Sequence, residues 1–426
     1  MSDNQEPSSE QQTLTVQQAI DLAVQHHSAG EFTQAESIYR QILEAHPDQP
    51  QALHLLGVIA HQRGENEQAV DLIEKAVSIN PTYADAYSNL GNALKALGRL
   101  DDAVTRFEKA LSLKPDFADA HNNLGLALME QGKVEQAIDC YQRAISIQPD
   151  YAEALNNLGI ALLNLGYLED SVINLQKAIA IKPEFDEVYF NLGNTLKKQG
   201  SIEEAVRNYR RAIDINPNLS NAHNNLGTAL KELGFLDEAV TSYSKALAIQ
   251  PALAEAHNNI GILLKEKGQY DDAKERYLKA LSIKPDYAEA HFNLGMVFKE
   301  QGYVDEGIKR AEIALSYKPE KVGWRIKKAL FFPVIPQSEE DIQTRRDTLT
   351  QNIAALTNEN LSVSDPALDI GITNFYLAYH NYNDRSLLQD IAKLHIKSCP
   401  ELAYEAQHCQ PAVSYTHLTL PTNREV

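Results

Sequence analysis

Residues 84–117 read ADAYSNLGNALKALGRLDDAVTRFEKALSLKPDF, and this stretch decides the fold. Gly98 divides it where the chain must turn tightly, and Pro115 forbids a helix to continue past it. The first half predicts a helix over 84–97. Asp101 and Asp102 then stand where the dipole of a second helix favours negative charge, and that helix runs to Leu113. Tyr87, Leu90, Gly91, Leu94, Ala103, Phe107 and Ala110 recur at spacings of three and four, one buried stripe for each helix. Gly91 lies inside the first helix at a cost of about 1 kcal/mol relative to alanine. Its presence predicts that the two helices approach too closely there for a Cβ.

The same marks return at one fixed interval, the one that separates Pro81 from Pro115. Prolines keep it from Pro47 to Pro319, and two glycine series keep it from Gly57 to Gly295 and from Gly30 to Gly302. Small residues face the mid-helix glycines from the second helices, among them Ala69, Ala137, Ser171 and Gly307. Large side chains stand beside them at Tyr39, Phe107, Tyr141, Leu175, Tyr209, Tyr243 and Tyr277. This period and punctuation resemble the tetratricopeptide repeat, a helix–turn–helix unit in which each copy packs only on its neighbours. The expected fold is therefore all-α, a right-handed tetratricopeptide-repeat superhelix (α-solenoid) followed by a short, incomplete α/β segment. Nine repeats fill 16–321 after a disordered stretch at 1–15, with a capping helix and linker at 322–337. The first repeat carries Ala23 in place of the mid-helix glycine, as a capping unit would.

Composition narrows the partners. The chain has 58 acidic against 39 basic residues, a net charge of −19, and no Lys/Arg-rich run within the repeats. That argues against nucleic acid or an anionic membrane as a partner. Cys140, Cys399 and Cys409 form no CxxC pair, which fits a reducing cytoplasmic setting. The N-terminus lacks the apolar core of a signal peptide, and no stretch approaches the roughly 18 apolar residues of a membrane span.

One polar series is left over once the core is assigned. Asn89, Asn123, Asn157, Asn191, Asn225, Asn259 and Asn293 each stand two residues before a mid-helix glycine. Asparagine is a mediocre helix former, so its recurrence calls for a reason. In this type of repeat the first helices line the concave wall, where the carboxamides would form a ladder able to pair with the backbone of an extended peptide. The alternative is that each asparagine bonds locally to a neighbouring helix. Four residues earlier, on the same face, come Asp85, Asp119, Glu153, Glu187, Asn221, Glu255 and Glu289. These acids read either as secondary groove contacts or as complements to the helix dipole. Adaptors that clamp a terminal carboxylate need Lys or Arg on this face, where the chain puts Asp and Glu. His121, His223, His257 and His291 occupy the slot of Tyr87 and Tyr189, so they read as packing residues. Ligands one repeat apart are separated by roughly a helix diameter, too far for zinc, and no metal site is expected.

The period fails after Pro319. Lys321–Phe332 carries the only tryptophan and should cap the last repeat, while Ser338 followed by Glu339, Glu340 and Asp341 is a helix start. Ile342, Leu349, Ile353 and Leu356 give that helix an apolar face. A β-prone segment at Ile372–Tyr379 precedes a further helix over about 384–397. Asn374–His380 (NFYLAYH), Asn383-Asp384-Arg385, Cys399-Pro400 and Leu402-Ala403-Tyr404 are similar to the junction that leads into the catalytic region of bacterial O-linked N-acetylglucosamine transferase-like (SPINDLY-like) proteins. The repeats resemble those enzymes too, and the resemblance covers about 16–409. It implies that 338–409 is the start of a glycosyltransferase-like region, and that the repeats recruit protein substrates to a cytoplasmic enzyme. Such enzymes bind a UDP-sugar between two Rossmann-like lobes, which this chain does not reach, so it is expected to bind no cofactor and to be catalytically silent. The UDP-sugar donor is expected only for a full-length protein, and His380 is given no catalytic role. Residues 410–426, QPAVSYTHLTLPTNREV, match neither the repeats nor that family and are expected to be a non-native tail. The second reading, from the repeats alone, is a non-enzymatic scaffold for protein complexes.

Overall fold

The computed structural model describes residues 14–332, 338–363 and 384–399. The chain divides into two compact units between Pro217 and Asn218. The first unit contains α1 (Val16–Ser28), α2 (Phe32–Ala45), α3 (Pro50–Gln62), α4 (Asn66–Ile79), α5 (Ala84–Ala96) and α6 (Leu100–Leu113). It continues through α7 (Ala118–Glu130), α8 (Val134–Ile147), α9 (Ala152–Leu165), α10 (Leu168–Ile181), α11 (Asp186–Gln199) and α12 (Ile202–Ile215). The second holds α13 (Ser220–Glu232), α14 (Leu236–Ile249), α15 (Ala254–Glu266), α16 (Tyr270–Ile283), α17 (Ala288–Glu300) and α18 (Val304–Tyr317). Three more helices follow among the described residues, α19 (Val322–Ala329), α20 (Glu339–Asn358) and α21 (Arg385–Ser398). The described residues are all-α, with the first eighteen helices arranged as successive antiparallel pairs.

Each pair closes in the same way. Gly98 takes φ +73°, which lets Arg99 N–H reach back to Leu94 O at 3.0 Å and so caps α5. Within each unit the first helices of successive pairs touch one another, α5 with α7 and α7 with α9 in one, α15 with α17 in the other. The second helices pack on the first helices before and after them and make no comparable contact among themselves. Each unit therefore curves with its first helices on the inner, shorter wall.

The structure refines the reason for the mid-helix glycines. A Cβ on Gly91 would lie 2.6 Å from Cε1 of Phe107, and one on Gly125 would lie 2.5 Å from Cε1 of Tyr141. In these pairs the glycine clears space for a ring on the second helix, which is wholly buried in both cases. The last pair differs. Ala311 replaces the ring, and a Cβ on Gly295 would stand 2.8 Å from the backbone oxygen of Gly307. Backbone oxygens come close to such a Cβ at Gly57 and Gly227 as well, that of Ala69 at 3.2 Å and that of Ala239 at 3.1 Å, but there a side chain is nearer, whereas at Gly295 the backbone itself is the first obstacle. Gly295→Ala is expected to lower stability by about 1–3 kcal/mol even though alanine favours helix, because a backbone oxygen cannot rotate away. An unchanged urea midpoint would contradict the close approach.

Beyond the pairs, Trp324 on α19 stacks on Phe292 with ring centroids 4.6 Å apart. Ser338 caps α20 by accepting from Asp341 N–H at 3.0 Å. Ile326, Leu330, Leu349, Ile353, Leu387 and Leu394 then form one core among α19, α20 and α21. Arg346 on α20 pairs with Asp384 at 2.6 Å, both largely buried. The β-prone segment at 372–379, His380 and the tail at 410–426 lie outside the described residues.

Candidate functional site

All seven ladder asparagines sit on first helices, hence on the inner walls. Asn191 is buried and the others are half-buried. Their amides do not simply face solvent. Asn157 Nδ2 donates to Asn122 Oδ1 at 2.9 Å, and Asn191 Nδ2 donates to Asn156 Oδ1 at 2.9 Å. In the second unit Asn259 and Asn293 donate to Asn224 and Asn258, each at 3.0 Å. The acceptor always belongs to the preceding repeat and is the residue just before that repeat's own ladder asparagine. These partners are 2–7 % exposed, so each bond closes a buried carboxamide. Local bonding, the alternative left open by the sequence, thus accounts for one amide hydrogen of these four. Oδ1 of Asn157, Asn191, Asn259 and Asn293 accepts no hydrogen bond among the described residues.

The buried partner series was overlooked at the sequence level, although the Asn-Asn dipeptides at 122–123, 156–157, 224–225 and 258–259 announce it. Its first member is a histidine. His54 is 3 % exposed, and its Nε2 receives the Asn89 amide at 2.8 Å while Nδ1 contacts the Tyr83 hydroxyl at 2.9 Å. Because an amide nitrogen can only donate, Nε2 must be bare and Nδ1 must carry the proton. Burial pushes the His54 imidazole down to about 4, against the weaker opposing pull of Asp85.

The acidic series requires a correction. It does not form an unrelieved acidic stripe, because the chain returns through the second helices and places a lysine at the end of α6, α10, α16 and α18. Lys114 Nζ lies 3.6 Å from Asp85, Lys182 is 2.9 Å from Glu153, and Lys318 is 2.5 Å from Glu289. The Lys182 bond holds the Glu153 carboxyl below its usual range. Asp119 accepts from the Tyr151 hydroxyl at 2.8 Å, and Glu187 from the Asn156 amide at 3.4 Å. Lysines therefore share the face from which the sequence seemed to exclude them. The paired side chains of Asp85 and Glu153 are about half exposed, so such pairs contribute at most about 1 kcal/mol and serve mainly to neutralise the wall.

The histidine series proves to be more than packing. Nε2 of His121, His257 and His291 donates to the carbonyl of Pro115, Pro251 and Pro285 at 3.0, 3.1 and 2.9 Å, tying each inter-repeat loop to the helix that follows. Leu155 occupies the corresponding slot in the fifth repeat. A recess of about 860 Å³ opens there, floored by Leu155, Leu158 and Leu162, with no ladder residue in its lining. On the inner wall of the second unit a cavity of about 660 Å³ gathers Asn258, Asn259, Glu255, Glu289, Tyr287, Tyr317 and two lysines.

Comparison with known proteins places this geometry. Residues 3–217 match the family model described as Cilia and flagella-associated protein 70 C-terminal domain. Residues 208–241 match a tetratricopeptide repeat model, and 229–268 and 263–302 match a TPR repeat model. Among solved structures, the crystal structure of the APC/C hetero-tetramer Cut9-Hcn1 is similar, with a TM-score of 0.52 at 20 % identity. That match covers 62 % of this chain and 52 % of the other, so this chain spans about half the length of that relative. YrrB, described as a TPR protein with an unusual peptide-binding site, matches at 26 % identity and a TM-score of 0.36, over 43 % of this chain and 95 % of its own. Pseudomonas aeruginosa pilF matches at 23 % identity and a TM-score of 0.44, over 49 % of this chain and 94 % of its own. No curated protein matches the chain. The paired helices, the left-handed glycine turns and a repeat model spanning half its length make this chain a member of the tetratricopeptide-repeat family, in the group described by the Cilia and flagella-associated protein 70 C-terminal domain.

Proposed function

We propose that this chain is a protein-binding scaffold whose inner walls hold extended segments of partner proteins. The observation that carries the reading is the set of ladder oxygens, of Asn157 and Asn191 in one unit and of Asn259 and Asn293 in the other, that accept nothing among the described residues, on asparagines already braced by the preceding repeat. A braced carboxamide loses little freedom when it accepts a peptide N–H, and it reads backbone rather than side chain. The absence of a helix long and apolar enough to cross a membrane, among the described residues, is compatible with this role. The cytoplasmic setting rests on cysteine spacing, with nucleic acid and membrane disfavoured by charge.

Recruitment of substrates for a glycosyltransferase is the narrower version of this reading. It rests on the resemblance at 371–409, most of which lies outside the described residues, whereas the matching family models describe repeats. The scaffold reading is the better supported of the two.

The test replaces Asn157 and Asn191 by alanine together. Two lost bonds of about 0.5–1.5 kcal/mol each should weaken several unrelated extended peptides alike, by roughly fivefold to a hundredfold in all. Melting should also fall, since Asn122 and Asn156 lose the amides that close them. The control replaces Asn122 and Asn156 instead, which breaks the same inter-repeat bonds from the buried side. It should lower melting comparably and leave peptide affinity within a fewfold of the parent. Parallel losses of affinity in both variants would assign the ladder to structure alone.

A further inference from the structure

The cavity on the inner wall of the second unit differs from its sister positions in two ways. Glu255 is the one member of the acidic series with no ion pair or hydrogen bond among the described residues. The lysine that should meet it is Lys284, by analogy with Lys114, Lys182 and Lys318. Lys284 instead lies over the Tyr287 ring, 5.4 Å from its centroid, and pairs with no carboxylate among the described residues. Second, Asn258 is 3 % exposed and accepts from Asn293, yet its own Nδ2 donates to nothing among the described residues. Its counterparts Asn122, Asn156 and Asn224 donate to Asn123, Glu187 and Asn225. Asn258 lines the cavity, and its unused nitrogen is not among the side-chain atoms sealed from solvent without a partner. Beside it Oδ1 of Asn259, like that of Asn157, Asn191 and Asn293, accepts nothing among the described residues. One buried donor, one acceptor and one carboxylate are thus left open in a single cavity of about 660 Å³.

Charge selects what would fill it. The lining holds Glu255, Asp286 and Glu289 against Lys284 and Lys318, and Lys318 is already committed to Glu289. The excess is one carboxylate, in a chain whose net charge is −19. Tyr287 already carries a cation over its face, which is the chemistry a phenol ring accepts. Burial and then the nearby Glu255 and Glu289 push the Tyr287 hydroxyl well up, so the field at that ring is negative.

Building on the peptide-binding reading, we propose that this cavity is a subsite for the basic side chain of an extended peptide. The lysine or arginine cation meets Glu255 beside the Tyr287 ring. A neighbouring peptide carbonyl accepts from Asn258 Nδ2, and a peptide N–H donates to Asn259 Oδ1. Lys284 acts as the resident competitor for the ring.

The experiment uses the full chain and a set of extended peptides identical except at one position, which is Lys, Arg, Gln or Glu, with affinities from fluorescence anisotropy. The parent protein should prefer Lys and Arg over Gln by roughly fivefold to tenfold, the value of one partly exposed ion pair, and should bind the Glu peptide most weakly. Glu255→Gln should abolish that preference without weakening the Gln peptide, and its melting should not change, because Glu255 has no bond to lose. Lys284→Ala should tighten the Lys and Arg peptides by a fewfold. Equal binding of all four peptides by the parent overturns the subsite and leaves the groove reading intact. Preference for the Glu peptide overturns it in favour of a lysine-lined site. Failure of every peptide to bind overturns the groove reading together with the subsite.

Discussion

Tyr277→Ala is expected to destabilise the second unit by about 3–5 kcal/mol, while Tyr277→Phe should leave stability unchanged or raise it. The ring is wholly buried between α15 and α16, and it fills the space that Gly261 leaves, where a Cβ would stand 2.7 Å from Cε1. Its hydroxyl, however, is enclosed with no hydrogen-bond partner among the described residues. Truncation to alanine leaves a ring-sized cavity in a small core that the helix pair shares with α17. Removing the oxygen alone deletes a buried polar group that folding left unpaired. Tyr243 supplies the contrast, since its hydroxyl reaches Thr228 Oγ1 at 3.3 Å, and Tyr243→Phe should lose a fraction of a kcal/mol. Urea unfolding followed by circular dichroism checks all three. A Tyr277→Phe protein less stable than Tyr243→Phe would mean that the Tyr277 hydroxyl has a partner in solution.

The second large effect is expected on acidification. The His54 imidazole titrates near 6.5 in an unfolded chain and is pushed down to about 4 by burial in the folded one. Between those values the unfolded state binds the extra proton, so stability falls as pH falls through this window and is fully present above it. The loss amounts to about 3 kcal/mol by pH 4. Burial also lowers the pKa of His257, His291 and His395, which adds to the loss in the same direction. His54→Asn isolates the first contribution, because asparagine stands in this slot in four sister repeats and can accept from Asn89. The stability difference between parent and His54→Asn should shift by about 3 kcal/mol in favour of the variant from pH 7 to pH 4. A difference independent of pH would show that His54 is not buried in its neutral form.

The fold was legible because glycine and proline are punctuation. Gly98 at positive φ and Pro115 after Leu113 set the ends of a helix pair whatever fills it, and copying them at one interval sets the array. The ladder was legible for the same reason. What escaped was every relation between repeats. A periodic sequence says that Asn122 and Asn157 each recur, but their contact depends on how far one first helix slides and rotates against the next. The lysine–acid pairs escaped differently. Asp85 opens a first helix and Lys114 closes the second, and only the return of the chain between them brings both to one face. The role of Gly91 was half read, since a missing Cβ signals crowding without saying whether ring or backbone does the crowding.

The bond from each ladder asparagine to the preceding repeat has a genetic consequence. The donor is always one position further along its repeat than the acceptor, so excising one whole repeat from a run of Asn-Asn repeats brings an equivalent donor to the orphaned acceptor. Loss of 123–156, for instance, would present Asn191 to Asn122 and leave no buried carboxamide stranded. Unequal crossing-over can therefore lengthen or shorten such a run by whole repeats with the seam intact. The tolerance ends at Ser88, Phe190 and Phe292, where the acceptor slot holds another side chain. Those positions mark where the array resists resizing, and they divide an otherwise exchangeable series into blocks that must be inherited whole.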